Sequence, residues 1–288
     1  VLACTPGLSA TVKQVFTRSF GWHFFMTTTR ILQLTDLHVF KDPAARLKGI
    51  PTFELLRDVT EFIRNSGETF DYVVVTGDHT HDELPESYSA VRSLLNPWID
   101  RLFQVPGNHD DRRVMRSVFG DRISGSDGDK VNFRFRVGQW LCLGLDTHVP
   151  GTVPGHIEPE QVKWAQQQLL GSDAKFVALF FHHPPVDVGS QWMDSIGLEG
   201  KELLQAWFAE ENRVRLVCCG HVHHEFRTVV GNAEILTSPS TGIQFSPEGN
   251  TPTFVAAPPG YRVIELNDNG YSTRVVRLPD VRFSPISM

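Results

Sequence analysis

The chain has 288 residues, 41% hydrophobic and 21% charged, with 27 Lys and Arg against 33 Asp and Glu for a formal net charge of −6. That composition is too apolar for a disordered chain. Without a Lys/Arg block it offers no electrostatic footprint for nucleic acid or an anionic membrane, and its apolar runs fall far short of the roughly 20 residues a membrane-crossing helix needs.

Residues 1 to 25 stand apart, because Lys13 and Arg18 are balanced by no acid and a periodic strand pattern begins only at Arg30. A basic, hydroxyl-rich stretch fits an organelle-targeting peptide but lacks the apolar run of a secretory signal. The simpler expectation is that Met26 is the natural start, with 1–25 a poorly ordered extension and 26–288 a single domain.

From Arg30 onward, short apolar runs alternate with amphipathic stretches, the pattern of a sheet covered by helices. In chain order the reading gives a strand over 30–35, a helix over 52–65, a strand over 71–76 and a helix over 86–95. A strand over 101–105 and a helix over 111–118 follow, then strands near 132–137 and 140–146 that flank Gly138 as an antiparallel hairpin. Glu158-Pro159-Glu160 places Pro and acids where a helix over 159–170 begins. A strand over 176–181, a helix over 199–210 and a strand over 214–219 come next. A second hairpin over 226–237 turns at Gly231-Asn232, and strands over 260–266 and 271–277 surround Asn267 to Gly270. The fold class is therefore α/β with mixed sheets in one domain. Cys4, Cys142, Cys218 and Cys219 form no CxxC pair or disulfide framework. They read as small buried hydrophobes in a reducing cytoplasm, with Cys218 and Cys219 on opposite faces of one strand.

Five strands end in ligand-type residues: Asp36-Leu37-His38, Gly77-Asp78-His79, Gly107-Asn108-His109-Asp110, His182-His183 and Gly220-His221-Val222-His223. Each is weak alone, but the carboxyl ends of strands are where distant side chains converge on a ligand. Carboxylate, amide and imidazole donors suit Mn, Fe or Zn, whereas the absence of Cys among them argues against a structural thiolate zinc. An Asp can bridge two ions with its two oxygens, and a bridging water between two such ions becomes hydroxide near neutral pH while both stabilise charge on an attacked phosphate. The implied reaction is phosphoester hydrolysis.

Together DLH, GDH, GNHD, HHPP and GHVH resemble the calcineurin-like metallophosphoesterase superfamily over about residues 30 to 280. The flanking words ILQLTDLHVF, HHPPVDVGSQWMD, TSPSTGIQF and APPGYRVIEL are similar to those of bacterial class III cyclic-nucleotide phosphodiesterases. The resemblance implies a four-layered αββα sandwich with the site on loops at one end of two sheets. It implies two divalent ions, Fe or Mn with Zn as the alternative. On that resemblance Asp36, His38, Asp78 and His223 would surround one and Asp78, Asn108, His182 and His221 the other, with Asp78 the bridge and a bridging hydroxide attacking in line with the departing oxygen. His109 would bind the phosphate or protonate the leaving oxygen, worth roughly 10²–10⁴-fold, with Asp110 orienting it. The plainer readings are that His109 supports Asn108 and that Asp110 caps the loop.

The implied activity is hydrolysis of 3′,5′-cyclic nucleotides, cAMP to 5′-AMP. Alternatives are other phosphodiesters (2′,3′-cyclic nucleotides, nucleotide diphosphate conjugates, glycerophosphodiesters) or a noncatalytic scaffold. The partner is a small phosphodiester; similar enzymes can dimerise, which no heptad or apolar stripe here supports independently. His183 reads as structural and Asp82 as a helix cap rather than a partner of a ligand histidine. His148, His156 and His224 read as exposed loop residues, and Trp192 and Phe245 as core aromatics that could instead stack on a base. His79 is assigned no role.

Overall fold

Side-chain alternation along the strands explains the architecture of the computed structural model, which describes residue 1, residues 28–123 and residues 129–286. The expectation for residues 1–25 lies, Val1 apart, outside the described residues. β1 (Thr29–Leu34), α1 (Thr52–Asn65), β2 (Tyr72–Thr76), α2 (Pro85–Leu94), a 3-10 turn over Asn96–Arg101 and β3 (Leu102–Val105) form a parallel three-strand unit. α3 (Arg112–Phe119) leads to the hairpin of β4 (Phe133–Val137) and β5 (Trp140–Gly144). Then come β6 (Gly155–His156), α4 (Pro159–Leu170), β7 (Phe176–Phe180), α5 (Gln191–Asp194), β8 (Leu198–Glu199), α6 (Lys201–Glu210) and β9 (Val214–Cys219). The chain closes with β10 (Phe226–Val230), β11 (Ala233–Thr237), β12 (Gln244–Phe245), β13 (Phe254–Val255), β14 (Gly260–Asn267) and β15 (Gly270–Arg277).

One sheet has the order β15-β14-β1-β2-β3 and the other β10-β11-β9-β7-β5-β4. Both are mixed: β1 is parallel to β2 and antiparallel to β14, while β11, β9, β7 and β5 run parallel between two antiparallel edge strands. Ile31, Val74, Trp140, Phe180, Cys218 and Ile264 fill the space between the sheets. Their strand neighbours Leu32, Leu34, Val73 and Val75 pack under α1, α2 and α3, and Leu143, Leu179 and Cys219 pack under α4 and α6. The result is the four-layered αββα sandwich, and Cys218 and Cys219 point into different layers as the pleat requires. Burial pushes the Cys218 thiol up to about 12. No helix among the described residues is long and apolar enough to cross a membrane.

Local chemistry sets the helix ends. Pro159 opens α4 with Glu160 in its first turn, and Asp111 caps α3 by accepting the N–H groups of Arg113 and Val114. The two-residue pairs β6/β8 and β12/β13 are too short to leave a periodic signal in sequence. At the site end the sheets are tied by buried polar groups. Arg262, 2% exposed, donates to Ser238 Oγ and the Thr237 carbonyl, and Ser238 Oγ donates to Gln33 Oε1 on β1.

Candidate metal centre

Asp36, His38, Asp78, His221 and His223 all have left-handed backbones, with φ of 54°, 48°, 54°, 71° and 53°. Such conformations cost non-glycine residues of order 1 kcal/mol or more each and persist where the surroundings impose them. Here they turn residues two apart in sequence toward one point at the ends of β1, β2 and β9. Two glycines clear the approach: a Cβ on Gly77 would collide with His182 Nδ1, and one on Gly107 with Asp78 Oδ1.

The donors converge. His223 Nε2 lies 3.2 Å from Asp36 Oδ1 and 3.2 Å from His38 Nε2. Asp78 Oδ2 is 3.4 Å from both His38 Nε2 and His182 Nε2, so one carboxylate oxygen serves two histidines. Asn108 Oδ1 is 3.1 Å from His182 Nε2 and 3.1 Å from His221 Nδ1. Backbone amides hold the carboxylates: His109 N–H donates to Asp78 Oδ1 at 2.8 Å, and His221 N–H to Asp36 at 3.1 Å.

The tautomers follow from the opposite ring nitrogens. His182 Nδ1 donates to the Thr76 carbonyl (2.8 Å), His221 Nε2 to the Ile196 carbonyl (3.0 Å) and His223 Nδ1 to the Ile243 carbonyl (2.8 Å). A carbonyl only accepts, so in each neutral ring the lone pair faces the cluster, as in metal-ligating histidines. Asn108 Oδ1, His182 Nε2 and His221 Nδ1 thus set acceptors against one another, a stable arrangement only around a cation. Donors about 2.0–2.2 Å from a shared ion lie ~3–3.6 Å apart, which matches the spacing here, so the residues fit divalent ions.

Electrostatics agree with that demand. Burial alone would raise the Asp78 carboxyl, but His182 and His38 outweigh it and hold it well below the usual carboxylate range. Burial opposes charge on His182, yet Asp78, Asp36 and the Thr76 carbonyl raise it to about 9, so the cluster as a whole attracts positive charge. His221 is pushed down to about 3 by burial and by His182 beside it.

Asp110 corrects an expectation. Its carboxylate accepts the Gly107 N–H (2.9 Å), the Tyr88 hydroxyl (2.9 Å) and His79 Nδ1–H (3.0 Å), and none of its hydrogen bonds goes to the His109 ring. Fully enclosed by those donors, it anchors the loop that carries Asn108 and engages His79. His109 is partly exposed, and its ring stacks on His81 with centroids 4.5 Å apart. His183 is bonded at both nitrogens, to Thr147 Oγ1 and the Val153 carbonyl. Asp82 accepts the N–H groups of Lys41 and Leu84 and the Ser87 hydroxyl at the start of α2. His148 and His224 are buried rather than exposed. Asp146, held by Arg112, draws the His148 backbone inward, and Thr237 Oγ1 donates to the His224 carbonyl. The residue that sequence reasoning missed is His81, two places after His79 in GDHTHD; the loop buries the first and turns the second toward His38.

A cavity of about 210 Å³ lies over the donors. Its floor is His38, Asp78, Asn108, His221 and His223 of the donor cluster together with His81 and His109, and the rest of its wall includes Leu47, Trp192, Ile243, Phe245 and Phe254. Phe245 stacks face to face on His223, with centroids 3.8 Å apart at 6°.

Residues 29–225 match the family model described as calcineurin-like phosphoesterase. The chain is 35% identical over 254 residues to the 3′,5′-cyclic adenosine monophosphate phosphodiesterase CpdA of Pseudomonas aeruginosa, covering 88% of this chain and 91% of that protein. It is 32% identical over 252 residues to the 3′,5′-cyclic-nucleotide phosphodiesterase alr5338 of Nostoc sp., covering 86% and 92%. Among solved structures, the fold is similar to a dimetal phosphatase from Danio rerio, with a TM-score of 0.57, 17% identity, and coverage of 86% of this chain and 98% of that one. It is also similar to GAP50, the anchor in the inner membrane complex of Plasmodium, with a TM-score of 0.52, 16% identity, and coverage of 91% and 90%.

Proposed function

The chain belongs to the calcineurin-like phosphoesterase family, and on that premise we propose that it is a phosphodiesterase of 3′,5′-cyclic nucleotides, opening cAMP to 5′-AMP. The observation that carries the reading is one cavity joining a polar donor floor to an apolar, aromatic wall, which suits a molecule with a phosphodiester at one end and a flat base at the other. The names of relatives that match most of the chain support the substrate class.

Asp36, His38, Asp78 and His223 would hold one divalent ion, and Asp78, Asn108, His182 and His221 the other, with Mn, Fe or Zn all suited to these donors. Bound there, the ions would lower the pKa of water and neutralise charge on the phosphoryl oxygens. Asp78 is poised to be shared because its Oδ2 faces both groups while Oδ1 is tied to the His109 amide. His109 reaches the cavity from the residue after Asn108, where an imidazolium can donate a proton to the ribose alkoxide, a poor leaving group. Asp110 serves by fixing the loop beneath it. Every donor position is filled, which favours an enzyme over a scaffold.

The test is kcat/KM on Mn-reconstituted protein for 3′,5′-cAMP, 2′,3′-cAMP and bis(p-nitrophenyl) phosphate. A value for 3′,5′-cAMP above about 10⁴ M⁻¹s⁻¹, within the ordinary enzyme range and well above its isomer, supports the proposal. Fast nitrophenyl turnover with feeble 3′,5′-cAMP hydrolysis would instead favour another phosphodiester on the same ion pair.

A further inference from the structure

Four histidines turn one ring nitrogen to the donor cluster, and in each the other nitrogen has a partner. For His182, His221 and His223 that partner is a backbone carbonyl. For His38 it is a side chain, since His38 Nδ1 lies 3.3 Å from Nδ1 of His81. Two imidazole nitrogens at that distance form a hydrogen bond only when one carries a proton and the other a lone pair. If His38 Nε2 offers its lone pair to an ion, its proton sits on Nδ1; His81 Nδ1 must then be the acceptor, with the His81 proton on Nε2. The His81 ring is well held for this. It stacks on His109, packs against Phe40 at 4.8 Å between centroids, and its backbone N–H donates to the Val39 carbonyl at 3.0 Å.

We propose that His81 is a positioning residue: by accepting the Nδ1 proton of His38 it fixes the tautomer and ring angle with which His38 meets the ion shared with Asp36, Asp78 and His223. The inference rests on the two-ion reading above. It makes one of the two ion sites depend on a replaceable side chain, where the corresponding support for the other three histidines is main chain.

The experiment is a Mn²⁺ titration of metal-free wild type, His81→Phe and His81→Asn by calorimetry. The Phe variant keeps a ring between Phe40 and His109 without an acceptor; the Asn variant restores an acceptor as an amide oxygen. Expected are two ions in wild type, two in His81→Phe with one bound about 10–100-fold more weakly, and His81→Asn within about threefold of wild type. Unchanged affinities in His81→Phe, or His81→Asn as weak as His81→Phe, overturn the inference. Fewer than two ions in wild type would instead bring down the two-ion reading. Should the variants fail to fold, ¹⁵N NMR of the Zn²⁺-loaded wild type decides: a proton on His38 Nδ1 and His81 Nε2 supports the proposal, and a proton on His81 Nδ1 overturns it.

Discussion

The floor and the apolar wall of the cavity are made by different means. On the floor, Asp78, Asn108 and His221 sit two or three residues past the ends of β2, β3 and β9, and Asp78 and His221 hold left-handed backbones beside the carboxylates that accept neighbouring amides. The wall draws on loops and two-residue strands. Leu47, Phe245 and Phe254 pack in a small cluster with Ile50 and Phe283, and the Ile286 N–H donates to the Lys48 carbonyl beside it. Floor and wall still meet at a few points, since the Ile243 and Ile196 carbonyls hold His223 and His221 and Phe245 stacks on His223, whereas Leu47, Trp192 and Phe254 come from a loop, the short α5 and the two-residue β13, outside the two main sheets. On the proposed function, the chemistry would be set mainly by the strand ends, and the substrate preference mainly by the loop-borne wall.

Substitutions on each side sharpen that contrast. The largest effect is expected from Asp78→Ala, which removes the oxygen shared by both histidine groups. Metal content should fall at both sites and kcat/KM by about 10³-fold or more, beyond the 10–100-fold typical of residues that only support ligands; a fully active, metal-replete variant would break the comparison. His109→Ala should keep its metal and lose roughly 10²–10⁴-fold on cAMP, with a smaller loss on a nitrophenolate leaving group that needs no proton. Equal losses would reduce His109 to phosphate binding. On the wall, Trp192→Ala should raise KM for cAMP by about two- to tenfold with kcat nearly unchanged, the size of one lost aromatic contact. A fall in kcat with unchanged KM would move Trp192 into the chemistry.

The smallest effect is one of stability with pH. His79 and the Gly107 amide outweigh the burial that would raise the Asp110 carboxyl, and its pKa is lowered. A depressed folded pKa adds stability above the unfolded value of about 3.9 that is lost as pH falls through the folded one. Urea unfolding of metal-free protein should therefore find Asp110→Asn less stable than wild type at pH 7 by about 1–3 kcal/mol. The gap should narrow below about pH 4; a gap that widened there would contradict the assignment.

Much of this was legible in sequence, for identifiable reasons. The central strands are buried on both faces, so their apolar runs are continuous and end abruptly at Asp36, Asp78 and His182, which marks both the fold and the floor. Hairpins announced themselves through Gly138 and Gly231-Asn232. What stayed hidden depends on rotation about single bonds in loops. His79 and His81 have the same residue type two places apart, and only the path of the loop sends one to Asp110 and the other to His38. The resemblance pairs Asp110 with His109, but the loop turns them to different surroundings, Asp110 toward Tyr88 and His79 and His109 toward His81. Of the wall, only Trp192 and Phe245 stood out in sequence, as aromatics that could stack on a base; Leu47 and Phe254 give no signal because these residues come from separate segments without a shared period.

The pairing of β1 between β2 and β14 also bears on biosynthesis. β1 emerges from the ribosome well before its partner β14, which follows more than 200 residues later, as the register Arg30 to Glu265 requires. At roughly 5–20 residues per second, one edge of that apolar strand waits of order ten seconds or longer for its neighbour. The amide that holds Asp36 belongs to His221, 185 residues downstream, so a nascent chain halted before β9 lacks both that amide and the last two donors, His221 and His223. The complete donor cluster therefore assembles only after β9 has been made, near the end of the sequence rather than with the strands that supply its first residues.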